Sequence, residues 1–406
     1  MAGKKIDFPY TEELLLLNNI FNGTHGDNLR IVGGAIRNFL LNKEISDFDL
    51  STTFLPEQTI KILKQNNIKY FPIGIGFGTV VAVINNKMFE ITTTREDIKT
   101  DGRHAEVKFT QNFEIDAKRR DFTFNALYLD FHNNLFDYFN GIEDLMKGIV
   151  RFIGNAENRI QEDYLRILRF FRFYCYYGIV LDNQGLKYSI KYKDKLTTLS
   201  GERIKAEMFK ILLSDCPIKT LHIMNQNGIL QIITSIDDFD FNKIELLYSI
   251  KKYIKNNVSA ELVLSLLLKN IDELDILRNK WKLSKKENNK IFNLLLHKGD
   301  KIYNKKQIQE LLFYSNDKNH VIDLVIINAI LNDINNPQDY INNLINFIQS
   351  IKIPSFPING NDLEKLDIKN KKDYGKIISI LKQEFIESDF KLTKEELLNK
   401  VNTINF

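Results

Sequence analysis

The chain has 406 residues, 44% hydrophobic and 27% charged, with only 7 prolines; this is too long for one core, predicts two to four structural units, and excludes a disordered or collagenous chain. Its net charge of +4, from 56 basic against 52 acidic residues, is too mild to assign a nucleic-acid partner by itself. No apolar run approaches the ~20 residues of a bilayer span, and Asp7, Glu12 and Glu13 interrupt the basic start at Lys4 and Lys5 before any cleavage pattern, so no membrane association and a cytoplasmic location are expected.

Taken in chain order, Leu29 to Val32 is a short apolar run, Ala35 to Leu41 has helical spacing and Phe48 to Leu50 reads as extended. Leu55 to Gln65 returns to helical spacing, and Gly74 to Ile84 and Lys87 to Thr93 read as strands rich in Val, Ile and Thr. Ala126 to Phe131 and Leu135 to Phe139 flank His132-Asn133-Asn134, a polar turn, and predict a closing hairpin. After Gly141, apolar residues recur at three and four, as in Leu165, Leu168 and Phe171, or Ile204, Met208 and Ile211. The expected fold class is therefore α+β: a head with a small mixed β-sheet over 1–140, followed by all-helical segments over 141–215, 216–350 and 351–406. Cys175 and Cys216 form no CxxC and are expected to be buried small hydrophobes. Trp281 is expected in a core.

Gly33-Gly34 lies where a strand gives way to a helix, so the backbone there can approach a phosphate, and Arg37 follows one turn later as a planar clamp. Asp47-Phe48-Asp49 places two carboxylates on one face of a strand, which suits Mg²⁺ with positions left open for nucleotide phosphates. Glu90 interrupts an apolar, β-branched strand. If that strand adjoins Asp49, Glu90 completes a three-carboxylate cluster able to hold two metal ions or to accept a hydroxyl proton; otherwise it marks an exposed edge.

Gly33-Gly34-Ala35-Ile36-Arg37 followed by Asp47-Phe48-Asp49 resembles the head of the class II tRNA nucleotidyltransferase (CCA-adding enzyme) and bacterial poly(A) polymerase family. Further motifs match in order: Glu90-Ile91-Thr92-Thr93-Thr94-Arg95, Thr100 to His104, Arg119 to Ala126, Glu162-Asp163-Tyr164-Leu165-Arg166 and Gly201-Glu202-Arg203-Ile204. One departure is Asn38, where the family commonly has Asp. The resemblance implies that the helical segments are neck, body and tail, that Arg120 contacts the incoming nucleotide and that Asp121 lies near the ribose 2′-hydroxyl. It also implies that Arg103 and His104 belong to a loop associated with the switch to adding A.

Glu162 to Arg172 is predicted as one helix carrying Asp163, Arg166, Arg169 and Arg172 at spacings of three. Cytosine and adenine each present an exocyclic amino donor beside a ring-nitrogen acceptor, which an Asp acceptor and an Arg donor match. Uracil and guanine reverse that order and leave the charges mispaired. Asp163 and Arg166 are thus expected to read the base, with Arg169 and Arg172 assisting at the nucleotide. Lys187 to Lys210, Lys282 to Lys290 and Lys298 to Lys306, with Tyr188, Tyr192 and Tyr303, could track an RNA backbone. The expected activity is template-independent CCA addition to tRNA from CTP and ATP, releasing pyrophosphate. The rivals are poly(A) addition and a non-catalytic RNA-binding protein. No protein partner can be inferred.

Overall fold

The computed structural model describes residues 4–100, 105–254, 258–299, 302–332, 334–364 and 374–401. They divide into two compact units, one of residues 1–239 and 275–284, the other of 240–274 and 285–406.

The first unit opens with a short strand, β1 (Lys4–Lys5), then α1 (Glu12–Asn22), whose first turn is capped by the Thr11 hydroxyl accepting from the Leu14 amide. Next come β2 (Leu29–Val32), α2 (Gly34–Leu40), β3 (Phe48–Thr52), α3 (Pro56–Gln65), β4 (Lys69–Phe71), β5 (Thr79–Ile84) and β6 (Lys87–Thr93). A separate two-stranded ribbon, β7 (Arg95–Thr100) with β8 (Ala105–Phe109), precedes α4 (Phe113–Lys118). The hairpin β9 (Leu127–Leu129) and β10 (Asn134–Asp137) turns through Asn133, which has φ +67°, and meets its expected position. The eight-stranded sheet runs β1-β10-β9-β2-β3-β6-β5-β4, with β3 and β6 parallel and the other neighbours antiparallel.

Period-two alternation sorts the two faces of this sheet. Leu29, Ile31, Leu50, Phe89, Ile91, Leu127 and Leu129 are buried in one cluster with Leu14, Leu17 and Phe21 of α1, Ile36 of α2 and Leu63 of α3; each such side chain contributes about 1.5–3 kcal/mol. Their neighbours in sequence, among them Asp49, Glu90 and Tyr128, take the opposite face. The expected strand from Gly74 starts only at Thr79. Gly74 and Gly78 have φ +79° and +85° and bracket a 3₁₀ turn at Ile75–Phe77, a backbone no β-strand adopts.

From Gly141 onward the regular elements are helical, as expected. In the first unit these are α5 (Gly141–Met146), α6 (Ala156–Glu162), α7 (Leu165–Tyr177), α8 (Asn183–Lys191), α9 (Gly201–Leu213), α10 (Ile218–Gln226) and α11 (Ile229–Thr234). The same unit takes up Trp281, fully buried, whose indole donates to the Ile233 carbonyl at 2.7 Å and whose ring meets Phe209. Gly201 opens α9 where a Cβ would lie 2.0 Å from the Lys280 carbonyl oxygen. Gly201→Ala is accordingly expected to cost about 1–3 kcal/mol by forcing backbone apart, read as a lowered melting temperature; an unchanged melt would contradict this close approach.

The second unit contains α12 (Asn242–Ile250), α13 (Ala260–Leu267), α15 (Lys285–Leu296), α16 (Lys305–Ser315), α17 (Lys318–Leu331), α18 (Pro337–Ser350), α19 (Gly360–Glu364), α20 (Tyr374–Glu387) and α21 (Lys394–Val401), while α14 (Ile271–Trp281) begins here and passes into the first unit. α17 is buried on every side from Val321 to Ile330. Its one buried acid, Asp323, is paired with Lys290 at 2.8 Å and Ser259 at 2.8 Å. Ile358, Leu363, Ile377, Leu381, Phe385, Leu397 and Val401 form a separate cluster near the end of the chain. No helix of the described residues is long and apolar enough to cross a membrane.

The expectation that both cysteines are buried is corrected. Cys216 is exposed in the turn after α9, and Cys175 is half-buried with its Sγ 2.8 Å from the Ser214 hydroxyl.

Candidate active site

The parallel pairing of β3 with β6 sets Asp49 directly beside Glu90, and the antiparallel pairing with β2 sets it beside Val32. β6 is interior, between β3 and β5, so Glu90 is not an edge residue. Asp47, just before β3, is exposed and accepts from the Ser46 hydroxyl at 2.8 Å. Asp49 and Glu90 are also exposed to solvent along one side; partial desolvation raises the Asp49 carboxyl above its ordinary value, Arg120 and Arg37 oppose this, and Asp47 adds to it. Glu90 is raised by burial and then by Asp49 and Asp47. Asp49 and Glu90 thus each sense the neighbouring negative charge. Among the described residues no group of three or more His, Cys, Asp or Glu is arranged to hold a metal ion, so the triad does not close as a cage. Its donors are all hard oxygens, and the ionised forms of Asp49 and Glu90 are disfavoured by desolvation and by neighbouring negative charge, which fits a hard divalent cation that finds further oxygens on a ligand.

Gly33 links β2 to α2 with φ +72°, a conformation that disfavours any side chain, and its amide donates to the Leu127 carbonyl at 3.1 Å. A Cβ at Gly33 would lie 3.7 Å from Nη1 of Arg120, and one at Gly34 would lie 3.7 Å from Nη2 of Arg37. Arg37 donates to the Asn125 side chain and lies over Tyr177 (4.5 Å) and Phe173 (5.4 Å), while its buried Nε has no hydrogen-bond partner among the described residues. Asn38 donates to the Glu44 carbonyl and accepts from the Tyr177 hydroxyl.

Asp121 is buried and fully engaged. It accepts from the Phe122 amide, from Asn125 at 3.0 Å and from Arg169 Nε at 2.7 Å. Burial would raise its pKa, but the Arg169 charge and these bonds hold it well below the usual carboxylate range. Arg172 pairs instead with buried Glu207 of α9 at 2.6 Å.

Glu162 to Arg172 is not one helix, which corrects the expectation. α6 ends at Glu162, Asp163 is extended at φ −156°, and α7 begins at Leu165. The physical reason is local: the Asp163 carboxylate accepts from the Leu165 amide at 3.0 Å, the bond of a helix N-terminal cap, and so starts a new helix. Its other oxygen takes Arg203 of α9 at 2.6 Å. Arg166 turns to Glu162 and to the Arg159 carbonyl (2.8 Å). Arg159 closes the arrangement. It donates to Glu162 at 2.6 Å and, through Nη2, to the backbone carbonyls of both Arg119 and Arg120.

Sequence reasoning missed Asp116, Tyr128, Asn125, Arg159 and Glu207. Asp116 is completely buried and accepts from Arg119 Nε (2.8 Å), Arg120 Nη2 (3.4 Å), the Arg95 amide (3.1 Å) and the Tyr128 hydroxyl. A signal existed: Asp116 lies three and four residues before Arg119 and Arg120, the spacing of one helical turn. The basic stretches are partly spent on structure. Lys298 donates to the Ser265 and Leu268 carbonyls, Lys290 pairs with Asp323, Lys191 with Glu157, and Tyr303 is buried. Lys187, Lys195 and Lys210 in the first unit, and Lys285 and Lys286 in the second, are exposed. Arg103 and His104 lie outside the described residues.

Two family profiles match: "Poly A polymerase head domain" over residues 29–151 and "Probable RNA and SrmB- binding site of polymerase A" over residues 181–236. The mitochondrial CCA tRNA nucleotidyltransferase 1 of Mus musculus is 34% identical over 404 residues, spanning 97% of this chain and 90% of its own. The CCA-adding enzyme of Staphylococcus haemolyticus is 30% identical, spanning 93% and 94%. Among solved structures, the Bacillus stearothermophilus CCA-adding enzyme in complex with CTP has a TM-score of 0.75 at 24% identity, covering 97% of this chain and 99% of that one. The Thermotoga maritima CCA-adding enzyme complexed with tRNA has a TM-score of 0.62 at 17% identity over the whole of both chains. These last two likenesses speak to the fold.

Proposed function

The chain belongs to the CCA tRNA nucleotidyltransferase family, and we propose a division of labour among its own residues for adding C, C and A to tRNA 3′ ends from CTP and ATP. The carrying observation is one continuous connection in the first unit. Arg120 lies against the Gly33 turn that follows Val32, the register partner of Asp49, and its carbonyl is held by Arg159, which reaches Glu162 and through it Arg166.

In this reading the tRNA 3′-hydroxyl attacks the α-phosphate, a new O–P bond forms, and pyrophosphate leaves. Asp47 and Asp49 would hold Mg²⁺, which when bound favours the ionised hydroxyl and offsets charge on the phosphates. Glu90, whose proton affinity is raised, takes the hydroxyl proton. Gly33 and Gly34 let the triphosphate approach the backbone, with Arg37 and Arg120 as its guanidinium partners. Asp163 and Arg166 meet the base edge. Asp121 holds Arg169 and so shapes the ribose side of the site, and Arg172, anchored on Glu207, supports the same helix. A division into head (1–140), neck (141–215), body (216–350) and tail (351–406) and a cytoplasmic location belong to the same proposal. The mouse relative is named as mitochondrial, so a fluorescent fusion decides the compartment.

The deciding experiment incubates purified protein with tRNA lacking its terminal CCA and each labelled nucleotide. Two C additions followed by one A are expected. Repeated A on any RNA 3′ end would make it a poly(A) polymerase, and binding without incorporation a non-catalytic RNA-binding protein. The exposed lysines lead to a further expected result: tRNA affinity falls steeply as salt rises from about 50 to 200 mM, with a log–log slope of several units. A flat response in filter binding would remove backbone tracking.

A further inference from the structure

We infer that Asp116 and Tyr128 are positioning residues that fix the Arg120 guanidinium in one orientation, with Nη1 aimed at the Gly33 turn. The inference rests on the proposed contact between Arg120 and the incoming nucleotide.

Arg120 Nε donates to the Tyr128 hydroxyl at 3.0 Å, and that hydroxyl donates in turn to Asp116 Oδ2, which also lies 3.4 Å from Arg120 Nη2. Two of the three guanidinium nitrogens are thereby engaged from behind. Among the described residues Nη1 has no hydrogen-bond partner, and it lies 3.7 Å from where a Cβ on Gly33 would stand. A planar guanidinium held on two nitrogens cannot rotate its third, so a donor is aimed in advance at any anion lodged against the turn. Both holding groups are enclosed by protein. Asp116 and Tyr128 are 0% exposed, and the tyrosine ring packs edge-on to Phe113 and Tyr138. The charges agree with this geometry. Burial works against the Asp116 carboxylate, but Arg119 and Arg120 outweigh it and hold the group ionised; burial also works against Arg120, and the Asp116 charge and the Tyr128 hydrogen bond oppose it. Arg119 occupies the other oxygen, Oδ1. The carboxylate is thus saturated and has no lone pair to spend on a substrate, which separates its role from that of Asp49.

Tyr128→Phe removes one oxygen and keeps the ring in place. Calorimetric titration with CTP and with ATP is expected to show both affinities falling roughly tenfold, the loss of one hydrogen bond to a charged group. KM should rise with kcat less affected, and the preference for CTP and ATP over UTP and GTP should stay unchanged, because the base is read elsewhere. The double variant Tyr128→Phe with Arg120→Ala decides the matter: if the hydroxyl acts through Arg120, it binds no worse than Arg120→Ala alone. An additive further loss, or wild-type affinity in Tyr128→Phe beside a weakened Arg120→Ala, overturns the positioning role. Wild-type affinity in Arg120→Ala overturns instead the nucleotide contact on which it rests. Should Tyr128→Phe fail to fold, Asp116→Asn is subjected to the same cycle with the same expected and overturning results.

Discussion

Asp49→Asn is expected to lower nucleotide transfer by on the order of 10³-fold or more while the metal-free variant melts above the parent. The two effects share one cause. β3 is fixed between β2 and β6, so Asp49 cannot move away from Glu90, its direct neighbour in register. Burial and Asp47 push its carboxyl up against the pull of Arg120 and Arg37, so folding favours the protonated form. A raised carboxyl contributes stability that is full below its unfolded value of about 3.9 and is lost as pH rises through the higher folded value. At neutral pH the ionised group therefore opposes folding, and an amide of the same shape relieves that opposition. The difference in melting temperature should narrow as pH approaches about 4, where both proteins carry a neutral group. Magnesium adds a second signature: a site filled at a hundred times its Kd stabilises by about 2.7 kcal/mol, so the parent's melt should rise with Mg²⁺ and the variant's should rise much less. Melting curves at two pH values with and without Mg²⁺, beside incorporation assays, measure all of this. Near-normal incorporation by a folded Asp49→Asn protein would sink the metal assignment, and equal response to Mg²⁺ would move it to other residues.

What could be read from sequence and what could not divides along local against long-range contacts. β2, α2, α3, β6 and the β9–β10 hairpin follow from spacing and turn residues, since each is decided within a few positions. The period of two places Asp49 opposite the apolar face of Leu50, whereas Asp47, expected on the same strand face, stands one residue before β3, where that period no longer fixes its direction. The pairing of Asp49 with Glu90 does not, because strand order across the sheet is set by packing, and it could only be posed as a condition. The break at Asp163 was hidden for another reason: Leu165, Leu168 and Phe171 continue a helical period across it, and only the side-chain bond to the Leu165 amide shows that a new helix begins there. Asp116 is hard to read because an acid beside Glu114 in the first turn of a short helix resembles a solvated one until Arg119, Arg120 and Tyr128 close over it. Lysines mislead in the opposite direction. Lys298 and Lys290 look like RNA contacts in a basic stretch, yet their flexible stems let them turn inward to carbonyls and to Asp323.

Asp163→Ala should collapse base discrimination before it abolishes activity. Asp163 is held from both sides, with Oδ1 on the Leu165 amide at 3.0 Å and Oδ2 on Arg203 at 2.6 Å, yet each carboxylate oxygen has a second lone pair. In the proposed reading those spare acceptors would reward the amino group of cytosine or adenine and would repel the carbonyl oxygen of uracil or guanine. Sites built on such pairing reject the wrong partner by up to about 10⁴–10⁵, so kcat/KM for CTP over UTP should fall by at least roughly 10²-fold in the variant. Absolute CTP turnover should fall less, because Asp47, Asp49 and Arg120 are untouched. The variant also loses a cap worth about 1 kcal/mol and leaves Arg203 unpaired, so a lower melting temperature is part of the expectation. Arg203→Ala separates the two consequences. It removes the ion pair while leaving the carboxylate in place, and it should lower stability and all four nucleotide rates together with the C and A preference largely kept. Asp163→Asn provides the sharper chemical control, since its amide nitrogen can donate to a carbonyl oxygen and should improve UTP relative to Asp163→Ala. A folded Asp163→Ala enzyme that still prefers C and A over U and G as strongly as the parent would remove base reading from this segment. The helix break would then stand only as a structural joint between α6 and α7.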